Sequence, residues 1–394
     1  MELKKIKSPN KIIKTALIIV LFAFVVCNFA FFRCVNNFAM AMENDLSTAK
    51  AMAVMEVSSK RILYSKNMEE RLPMASTTKI ITAIVAIENN YDLDRLVEIT
   101  TDCVGIEGTS IYLRAGEKLT IRELLYGLML RSGNDAAVAI AKATSGSVDA
   151  FVQKCNEFVK IIGAENTHLV NPHGLPDDGH FTTAKDLAII SAYALQNSEF
   201  AKIVSSTEKR IENVLNSAKN RVLKNKNKLL LNMEGATGVK TGYTKKAGRC
   251  FVGSAKRNGM ELVCVLLDCS PMFEECQNLL EKGFSEFKMI DLLEPNSVVG
   301  EVMIENGYSP KTKVVVKGGA KLPLKVSEVD DVQIVYDVPS KVEAPKRAGD
   351  VVGKFEIYAS KDLIFSDEIY IIEDVKSKSS NFGETLIKDF VHLD

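Results

Sequence analysis

The chain has 394 residues, of which 46% are hydrophobic and 25% charged, with 50 basic side chains against 50 acidic ones. These ordinary globular proportions exclude a wholly disordered or collagen-like chain, and the length indicates two or three domains. Zero formal net charge predicts no nucleic-acid partner, because such proteins carry a strongly basic domain or stripe. Four histidines and no His-Glu-x-x-His pattern predict no metal site, and no motif indicates a cofactor.

The first 41 residues have the organisation of an export signal. Five lysines between positions 2 and 14 precede an apolar run over 15–32, and Ala39-Met40-Ala41 fits a small-x-small cleavage site. A retained membrane anchor is the alternative, because the run is almost long enough to span a bilayer. Both interpretations place the rest of the chain outside the cytoplasm. Without this segment 44 basic and 49 acidic residues are left, so the body is mildly acidic.

Periodicity and end signals predict the elements that follow. Residues 51–57 and 62–64 form a hairpin, and a strongly apolar helix covers 79–87. Further helices are predicted at 120–130, where Thr120 and Glu123 match a capping box, and at 135–143, 183–195 and from Ser270-Pro271 onwards. A second hairpin joins 249–256 to 260–268 through Asn258-Gly259, a strong two-residue turn signal. The polar, Lys- and Asn-rich residues 210–232 are predicted to be mobile or a strand edge.

The composition of the sequence changes beyond residue 290. Short Val-rich segments alternate with Gly, Pro and Lys turns, which predicts a small antiparallel β domain over 291–375. In the remaining tail, 376–394, apolar residues from Phe382 to Val391 recur at helical spacing. This amphipathic helix docks either on the protein or on a membrane, although its polar face lacks the basic residues typical of membrane helices.

Six cysteines follow the leader, at positions 103, 155, 250, 264, 269 and 276. An even number in an exported chain permits disulfides. A domain of this size does not need them, and Cys250 and Cys264 do not face each other in the predicted hairpin. Buried free thiols are therefore favoured over a structural disulfide.

Ser76 and Lys79 are the first candidates for catalysis. Their three-residue spacing on a helix brings the hydroxyl and the amine to one face. A serine needs a base within hydrogen-bond reach, and a lysine serves as that base only where burial or nearby positive charge lowers its pKa. The alternative is an N-cap serine beside a surface lysine. The same spacing recurs elsewhere, as at Ser8/Lys11, Ser206/Lys209 and Ser285/Lys288, so that the spacing alone carries little information.

Two further motifs strengthen the case. Ser132-Gly133-Asn134 lies between two predicted helices, where a turn can direct Ser132 and Asn134 into a cleft. Lys240-Thr241-Gly242 occupies a strand-like segment, in which Gly242 permits close approach of another chain. Taken separately, the first motif is equally explained as an ordinary inter-helix turn, and the second as an edge strand whose lysine opposes aggregation. Together, and in this order in an exported chain, they are not explained by chance.

With these three motifs the sequence resembles the serine penicillin-binding protein and β-lactamase superfamily. It is most similar to low-molecular-mass D-alanyl-D-alanine carboxypeptidases, through the stretches 71–83, 128–141, 171–188 and 238–250. The resemblance covers about 48–290, and 291–375 matches the family's C-terminal domain. It implies an α/β (α+β) transpeptidase fold: an antiparallel sheet with helices on both faces, an all-helical subdomain, and a small all-β domain after the catalytic domain of 42–290.

The resemblance also implies roles for individual residues. Ser76 is the acylated nucleophile, Lys79 its general base, and Ser132 relays a proton to the leaving D-Ala amine. The residues that bind the substrate would be Asn134, Lys240, Thr241, Gly242 and Tyr243. Asn134 holds the substrate amide, Lys240 supports the electrostatics of the cleft, Thr241 contacts the terminal carboxylate, and the N–H groups of Ser76 and Tyr243 form an oxyanion hole. The lysine base leaves no catalytic role for His168, His173 or His180, which are expected to be loop or packing residues.

The implied partners are a peptidoglycan stem peptide ending in D-Ala-D-Ala, β-lactam antibiotics, and the membrane through the leader or the tail. A β-lactamase of the same superfamily is one alternative, but the relevant region, around Glu165-Asn166, lacks the Glu-x-x-x-Asn spacing of the class A deacylation loop, and the additional β domain also argues against it. A non-catalytic wall-binding protein is another, although a binder does not need the full Ser/Lys/Ser/Asn/Lys set. An endopeptidase acting on D-Ala cross-links would use the same machinery.

Overall fold

The computed structural model describes residues 46–212 and 220–378. The predicted leader and the predicted helix of the tail lie outside these ranges. Within them, no helix is long and apolar enough to cross a membrane.

In the described residues the helices are, in chain order, α1 (Lys79–Glu88), α2 (Ile121–Arg131), α3 (Asn134–Ser145), α4 (Val148–Ile161), α5 (Ala184–Leu195), α6 (Ser198–Ser205), α7 (Leu229–Asn232) and α8 (Met272–Glu286). The strands are β1 (Ala51–Glu56), β2 (Ile62–Lys66), β3 (Leu96–Glu98), β4 (Lys118–Thr120), β5 (Glu208–Ile211), β6 (Arg221–Lys224), β7 (Ala236–Thr244), β8 (Gly248–Arg257), β9 (Met260–Leu267), β10 (Phe287–Leu293), β11 (Ser297–Glu305), β12 (Lys311–Val316), β13 (Ala320–Lys325), β14 (Gln333–Asp337), β15 (Lys341–Glu343), β16 (Val351–Ala359) and β17 (Asp362–Ile371).

A five-stranded antiparallel sheet in the order β2-β1-β9-β8-β7 forms the centre of the catalytic part. Alternate side chains of its strands point to opposite faces. On β1, Ala51 and Ala53 join the core shared with α1 to α6, and α5 packs on β1 and β9. On the other face α8 covers β8 and β9, with Cys276 against Gly253. The predicted layering, with helices on both faces of an antiparallel sheet, is confirmed.

The predicted helix and hairpin signals have clear structural counterparts. Thr120 and Glu123 form the reciprocal capping box at the start of α2. Asn258 and Gly259, with φ of 49° and 81°, make the tight turn between β8 and β9. One detail differs, because α8 begins at Met272 and Pro271 is its N-cap rather than a residue of its first turn.

Helices α4 and α6 were not predicted. For α4 the sequence contains clear signals, since Ser147 caps the helix and its buried residues Phe151, Cys155 and Val159 are spaced by four. Part of the polar stretch after α6 forms a two-stranded hairpin of β5 and β6, which corresponds to the predicted strand edge.

The C-terminal part is built of strands, as predicted. A six-stranded sheet has the order β14-β16-β17-β12-β11-β15, and β10 pairs with β13. Its core contains Phe355, Ile357 and Ile369 from β16 and β17, packed with Val316 and Leu322. This part has its own hydrophobic core, separate from that of the catalytic part.

The six cysteines of the described residues are all buried free thiols, as favoured from the sequence. Burial raises the pKa of Cys250 to about 12, and it also raises the pKa values of Cys155 and Cys264 well above the ordinary thiol range. These thiols are therefore packing residues rather than nucleophiles.

Candidate active site

Ser76 lies in a 3₁₀ turn, Ala75–Thr78, that leads directly into α1. The turn is tightly built: the Thr77 hydroxyl donates to Met74 O at 2.6 Å and the Thr78 hydroxyl to Ala75 O at 2.7 Å. Ser76 is partly exposed, whereas its neighbours Ala75 and Thr77 are buried. The fold therefore presents one hydroxyl of this turn to solvent.

Lys79 is fully buried directly beneath Ser76. Its Nζ lies 3.0 Å from Ser76 Oγ, 2.7 Å from Asn134 Oδ1 and 2.6 Å from the carbonyl oxygen of His173. Carbonyl oxygens only accept hydrogen bonds, so the two of them take two N–H groups of the amine. In its neutral form the amine then has its lone pair left for the Ser76 hydroxyl, which is the geometry that a general base requires.

The electrostatics of the cleft favour the neutral amine. Burial lowers the pKa of Lys79 well below its ordinary value, and the charges of Lys240 and Lys226 lower it further. The carboxylate of Asp135 acts in the opposite direction but is the smaller influence. Burial and the charge of Lys226 also lower the pKa of Lys240, to about 7.

Ser132 and Asn134 come from the turn between α2 and α3. Ser132 ends α2 in the left-handed conformation, with φ of 65°, and both side chains are buried. The Asn134 amide accepts from Lys79 and donates through Nδ2 to Glu107 O at 2.5 Å. A carboxamide has two donors and two acceptor positions, so Asn134 keeps one of each for another ligand.

Lys240, Thr241, Gly242 and Tyr243 lie on β7, the edge strand of the central sheet next to Ser76. Lys240 is buried and its Nζ donates to Thr241 O at 2.9 Å. Gly242 is in close contact with the Ser76 turn: a Cβ there would lie 3.0 Å from Ser76 N and 3.2 Å from Thr77 N. A side chain at 242 would therefore push β7 away from the serine.

The structure brings five of the eight candidate residues together where β7 meets the Ser76 turn: Lys79 contacts Ser76 and Asn134, Gly242 lies against the turn, and Lys240 is close enough to lower the pKa of Lys79. Ser132 ends the helix just before Asn134, and Thr241 and Tyr243 share β7 with Lys240; the roles of these three side chains stay predictions.

The structure also shows contributors that sequence reasoning missed. The carbonyl of His173 accepts from Lys79. Asp135, whose charge acts on Lys79, holds the loop before α2 by accepting from Ser110 Oγ at 2.6 Å and Leu113 N at 3.0 Å. A backbone carbonyl has no signature in a sequence, and an Asp in a first helical turn looks like an ordinary capping residue.

Lys226 is another missed contributor, on the segment that follows β6. It is solvent-exposed, yet partial burial of its amine and the charge of Arg131 lower its pKa. Together with the protonated form of Lys240 it makes the cleft positive while Lys79 is neutral, which favours an anionic group in the substrate. Lys226 lies in a Lys- and Asn-rich stretch, so the sequence does not distinguish it from its solvated neighbours.

The three histidines lie beside the site without contacting the Ser76 hydroxyl. His180 Nε2 is 2.8 Å from Thr78 Oγ1, while His168 Nδ1 is 2.6 Å from Gly179 O. His173 contributes its backbone. Among the described residues no group of three His, Cys, Asp or Glu side chains could hold a metal ion. The chemistry that the site itself offers is that of a hydroxyl nucleophile beside a buried amine.

Comparisons with known proteins agree with this geometry. A family model of peptidase S11, described as D-alanyl-D-alanine carboxypeptidase, matches residues 38–270, and one described as the penicillin-binding protein 5 C-terminal domain matches 287–377. A D-alanyl-D-alanine carboxypeptidase of Bacillus subtilis, DacF, is 30% identical over 336 residues, covering 83% of this chain and 86% of the relative.

Solved structures of related proteins share the fold. Penicillin-binding protein 5 of Haemophilus influenzae matches with a TM-score of 0.72 and 27% identity over 84% of this chain and 98% of that one. The DD-transpeptidase of Streptomyces K15 matches with a TM-score of 0.58 and 31% identity over 61% of this chain and 98% of that one. The first similarity extends through both parts of the chain, because it covers most of its length.

Proposed function

Because the chain belongs to the peptidase S11 family of D-alanyl-D-alanine carboxypeptidases, we propose that it is a serine enzyme that removes the terminal D-alanine of peptidoglycan stem pentapeptides. The observation that carries this proposal is the environment of Lys79. Two carbonyl oxygens occupy two directions around its buried nitrogen, and the third faces Ser76.

Acylation then proceeds from the neutral amine. Lys79 takes the proton of the Ser76 hydroxyl as Oγ attacks the carbonyl carbon of the D-Ala–D-Ala bond. The N–H groups of Ser76 and Tyr243 stabilise the oxyanion of the tetrahedral intermediate, in keeping with the close approach of β7 to the turn. Ser132 relays a proton to the nitrogen of the departing D-alanine: it donates its own and takes back the one that Lys79 received from Ser76, so that both side chains return to their starting forms. Water then hydrolyses the ester, which frees Ser76 and the shortened peptide.

The cleft is suited to the free carboxylate that distinguishes this substrate. Lys240 and Lys226 supply positive charge, and Thr241, the next residue of β7, would donate a hydrogen bond to this carboxylate. Asn134 has a donor and an acceptor left for the peptide bond of the substrate. A β-lactam presents a carbonyl and a carboxylate in similar positions, so we expect it to acylate Ser76 as well.

We further propose that residues 1–41 are an export signal or a membrane anchor, and that the enzyme acts outside the cytoplasm. In this division 42–290 is the catalytic domain, 291–375 the β domain and 376–394 a tail with a short helix. Strand β10 crosses the boundary at 290, because it begins at Phe287 and pairs with β13. The peptidoglycan substrate, which lies outside the cytoplasm, supports this location.

The experiment that tests the proposal compares Ser76→Ala with Ser206→Ala. Ser206 also precedes a lysine by three residues, but its hydroxyl donates to Lys202 O at 2.7 Å, away from the cleft. We expect Ser76→Ala to lose both D-alanine release from an acyl-D-Ala-D-Ala peptide and covalent labelling by a fluorescent penicillin. Ser206→Ala should keep both. Activity that persists in folded Ser76→Ala would refute the assignment of the nucleophile.

A further inference from the structure

A chain of three hydrogen bonds runs from the loop after α4 to the turn that carries Ser76. The N–H of Val170 donates to His180 Nδ1 at 3.1 Å. His180 Nε2 lies 2.8 Å from Thr78 Oγ1, and the Thr78 hydroxyl lies 2.7 Å from the carbonyl oxygen of Ala75. Thr78 and His180 are both buried, with exposures of 0% and 3%. This chain therefore links an exposed loop residue, through two buried side chains, to the residue before the nucleophile.

The direction of every bond in this chain is determined. The Val170 N–H can only donate, so His180 Nδ1 accepts and carries no proton. At the other end the Ala75 carbonyl only accepts, so the single Thr78 proton is used there and His180 Nε2 must donate to Thr78 Oγ1. Both ends require the same neutral tautomer, with the proton on Nε2. Burial of the imidazole, which lowers the pKa of His180 to about 4, is consistent with that form.

The last acceptor of the chain has a direct relationship to the reaction. The Ala75 carbonyl and the Ser76 N–H belong to one peptide unit, and in a planar trans unit they point in opposite directions. A hydrogen bond that fixes the carbonyl therefore fixes the direction of the Ser76 N–H. Gly242 of β7 is close to that nitrogen, since a Cβ there would lie 3.0 Å away.

The backbone at this peptide unit needs such support. Ala75 has φ of 48°, in the left-handed region, which costs a residue with a side chain about 1 kcal/mol. Gly174 lies directly against the Ala75 carbonyl, so that a Cβ there would overlap with the oxygen. The turn is thus held in an unfavourable conformation by its surroundings, and the Thr78 hydroxyl is the polar part of that support.

We propose that His180, acting through Thr78, is a positioning residue that fixes the Ala75–Ser76 peptide plane and thereby aims the Ser76 N–H at the oxyanion. This role rests on the proposed function. It differs from packing alone, because packing predicts a loss of stability without a specific loss of turnover. A misdirected oxyanion donor weakens binding of the transition state and not of the substrate, so kcat falls while KM changes little.

The test compares two buried threonines, Thr78 and Thr82, whose hydroxyls donate to different carbonyl oxygens. Thr78→Val keeps the shape and removes the hydroxyl, and Thr78→Ser restores it. Thr82→Val is the matched control, because Thr82 is equally buried and its hydroxyl donates to Pro172 O at 2.6 Å, one turn further along α1. His180→Leu removes the other end of the chain. For each variant, kcat and KM are measured with an acyl-D-Ala-D-Ala peptide, and the folded fraction is measured by circular dichroism.

Deletion of an oxyanion donor costs about 10² to 10³ in kcat, so we expect its displacement to cost about tenfold or more. Thr78→Val and His180→Leu should show this loss with KM within about threefold of wild type. Thr78→Ser should recover most of the turnover, and Thr82→Val should lose stability without this loss of kcat. The proposal is overturned if folded Thr78→Val keeps wild-type kcat, or if Thr82→Val and Thr78→Val lose kcat equally.

Failure of the underlying function gives a different result. A wild-type protein that releases no D-alanine would refute the proposed function. Wild-type release that Ser76→Ala abolishes and Thr78→Val leaves unchanged would refute only the role of His180. If Thr78→Val does not fold, His180→Leu and Thr78→Ser still decide between the two interpretations.

Discussion

Lys79 Nζ and Ser76 Oγ lie 3.0 Å apart, while the carbonyl oxygens of Asn134 and His173 occupy the other hydrogen-bonding directions of the amine. Lys79→Met, which matches the lysine side chain as far as Cε and lacks the nitrogen, should therefore reduce the rate of penicillin labelling by about 10³-fold. Lys79→Arg should fail to the same extent, because a guanidinium does not give up its proton in proteins. Time-resolved labelling with a fluorescent penicillin measures both rates. A Lys79→Arg variant that labels at the wild-type rate would contradict the role as a base.

The pH dependence of acylation depends on Lys240. Its charge lowers the pKa of Lys79, so removal of that charge raises the pKa of Lys79. The base is active when neutral, and its activity is lost as the pH falls through its pKa. In Lys240→Gln the acid limb of the acylation rate should therefore move to higher pH, whatever the loss in absolute rate. Lys321→Gln, an exposed lysine paired with Asp291 in the β domain, is the control and should leave the limb unchanged.

The three motifs supplied the eight candidate residues, whose roles stay a prediction, and the resemblance that these motifs carry implied the layered fold. Several individual elements were predicted from the sequence directly. Strong local signals explain this, such as the capping box at Thr120 and the Asn258-Gly259 turn, because each satisfies backbone groups within a few residues. Helix α4 has an equally local signal in Ser147 and its four-residue apolar spacing, although it was not predicted.

Other features of the site are beyond sequence reasoning for a physical reason. The acceptor that holds Lys79 is a backbone carbonyl, and every residue carries one. The hydrogen bond between His180 and Thr78 joins residues 102 positions apart, and nothing in the sequence near either residue indicates that the two are in contact. The histidines were expected to be loop or packing residues. For His180 the structure supports packing with a specific polar partner, from which its positioning role is proposed.

Gly174 provides a test of how closely the Ser76 turn is packed. It has φ of 89° and lies against the Ala75 carbonyl, and a Cβ at this position would also lie 2.8 Å from Thr78 Oγ1. Gly163 has nearly the same φ, 85°, but no atom within 4 Å of such a Cβ. Gly163→Ala should therefore cost only the backbone penalty of about 1 kcal/mol in the free energy of unfolding. Gly174→Ala should cost about 2 kcal/mol more, or displace the turn and slow acylation.

Urea unfolding and penicillin labelling measure these two effects separately. Equal losses of stability in the two glycine variants, with labelling unchanged, would show that the turn tolerates displacement.

Arg61 joins the hairpin of β1 and β2 to the β domain. Its guanidinium contacts Glu328 through two bonds of 2.7 and 3.0 Å and also donates to Pro323 O, and the two side chains are only 9% and 15% exposed. A double-mutant cycle with Arg61→Met and Glu328→Gln should give a coupling free energy of about 1–3 kcal/mol in urea unfolding. The exposed pair Lys341 and Glu305 is the control, and its coupling should stay below about 0.5 kcal/mol. Equal coupling in the two pairs would contradict a structural role for the Arg61 contact.

His173 and His180 make the stability of the protein depend on pH. Burial lowers the pKa of each imidazole to about 4, and the charge of Lys79 lowers both values further. For His180, the charge of Asp177 raises the pKa and that of His168 lowers it. Between pH 4 and about 6.5 the unfolded chain binds a proton at each imidazole that the folded protein does not bind. The free energy of unfolding therefore falls as the pH falls through this window, by about 1.4 kcal/mol per unit for each histidine.

Urea unfolding between pH 5 and 6.5 measures this slope above the range in which most carboxylates titrate. His173→Gln and His180→Gln should each remove the share of one histidine, and the double variant should remove both. These contributions are independent of catalysis, because they concern proton binding by the unfolded chain. A double variant with the wild-type slope would show that the two imidazoles are not held neutral beside the Ser76 turn, and the tautomer assigned to His180 would be wrong.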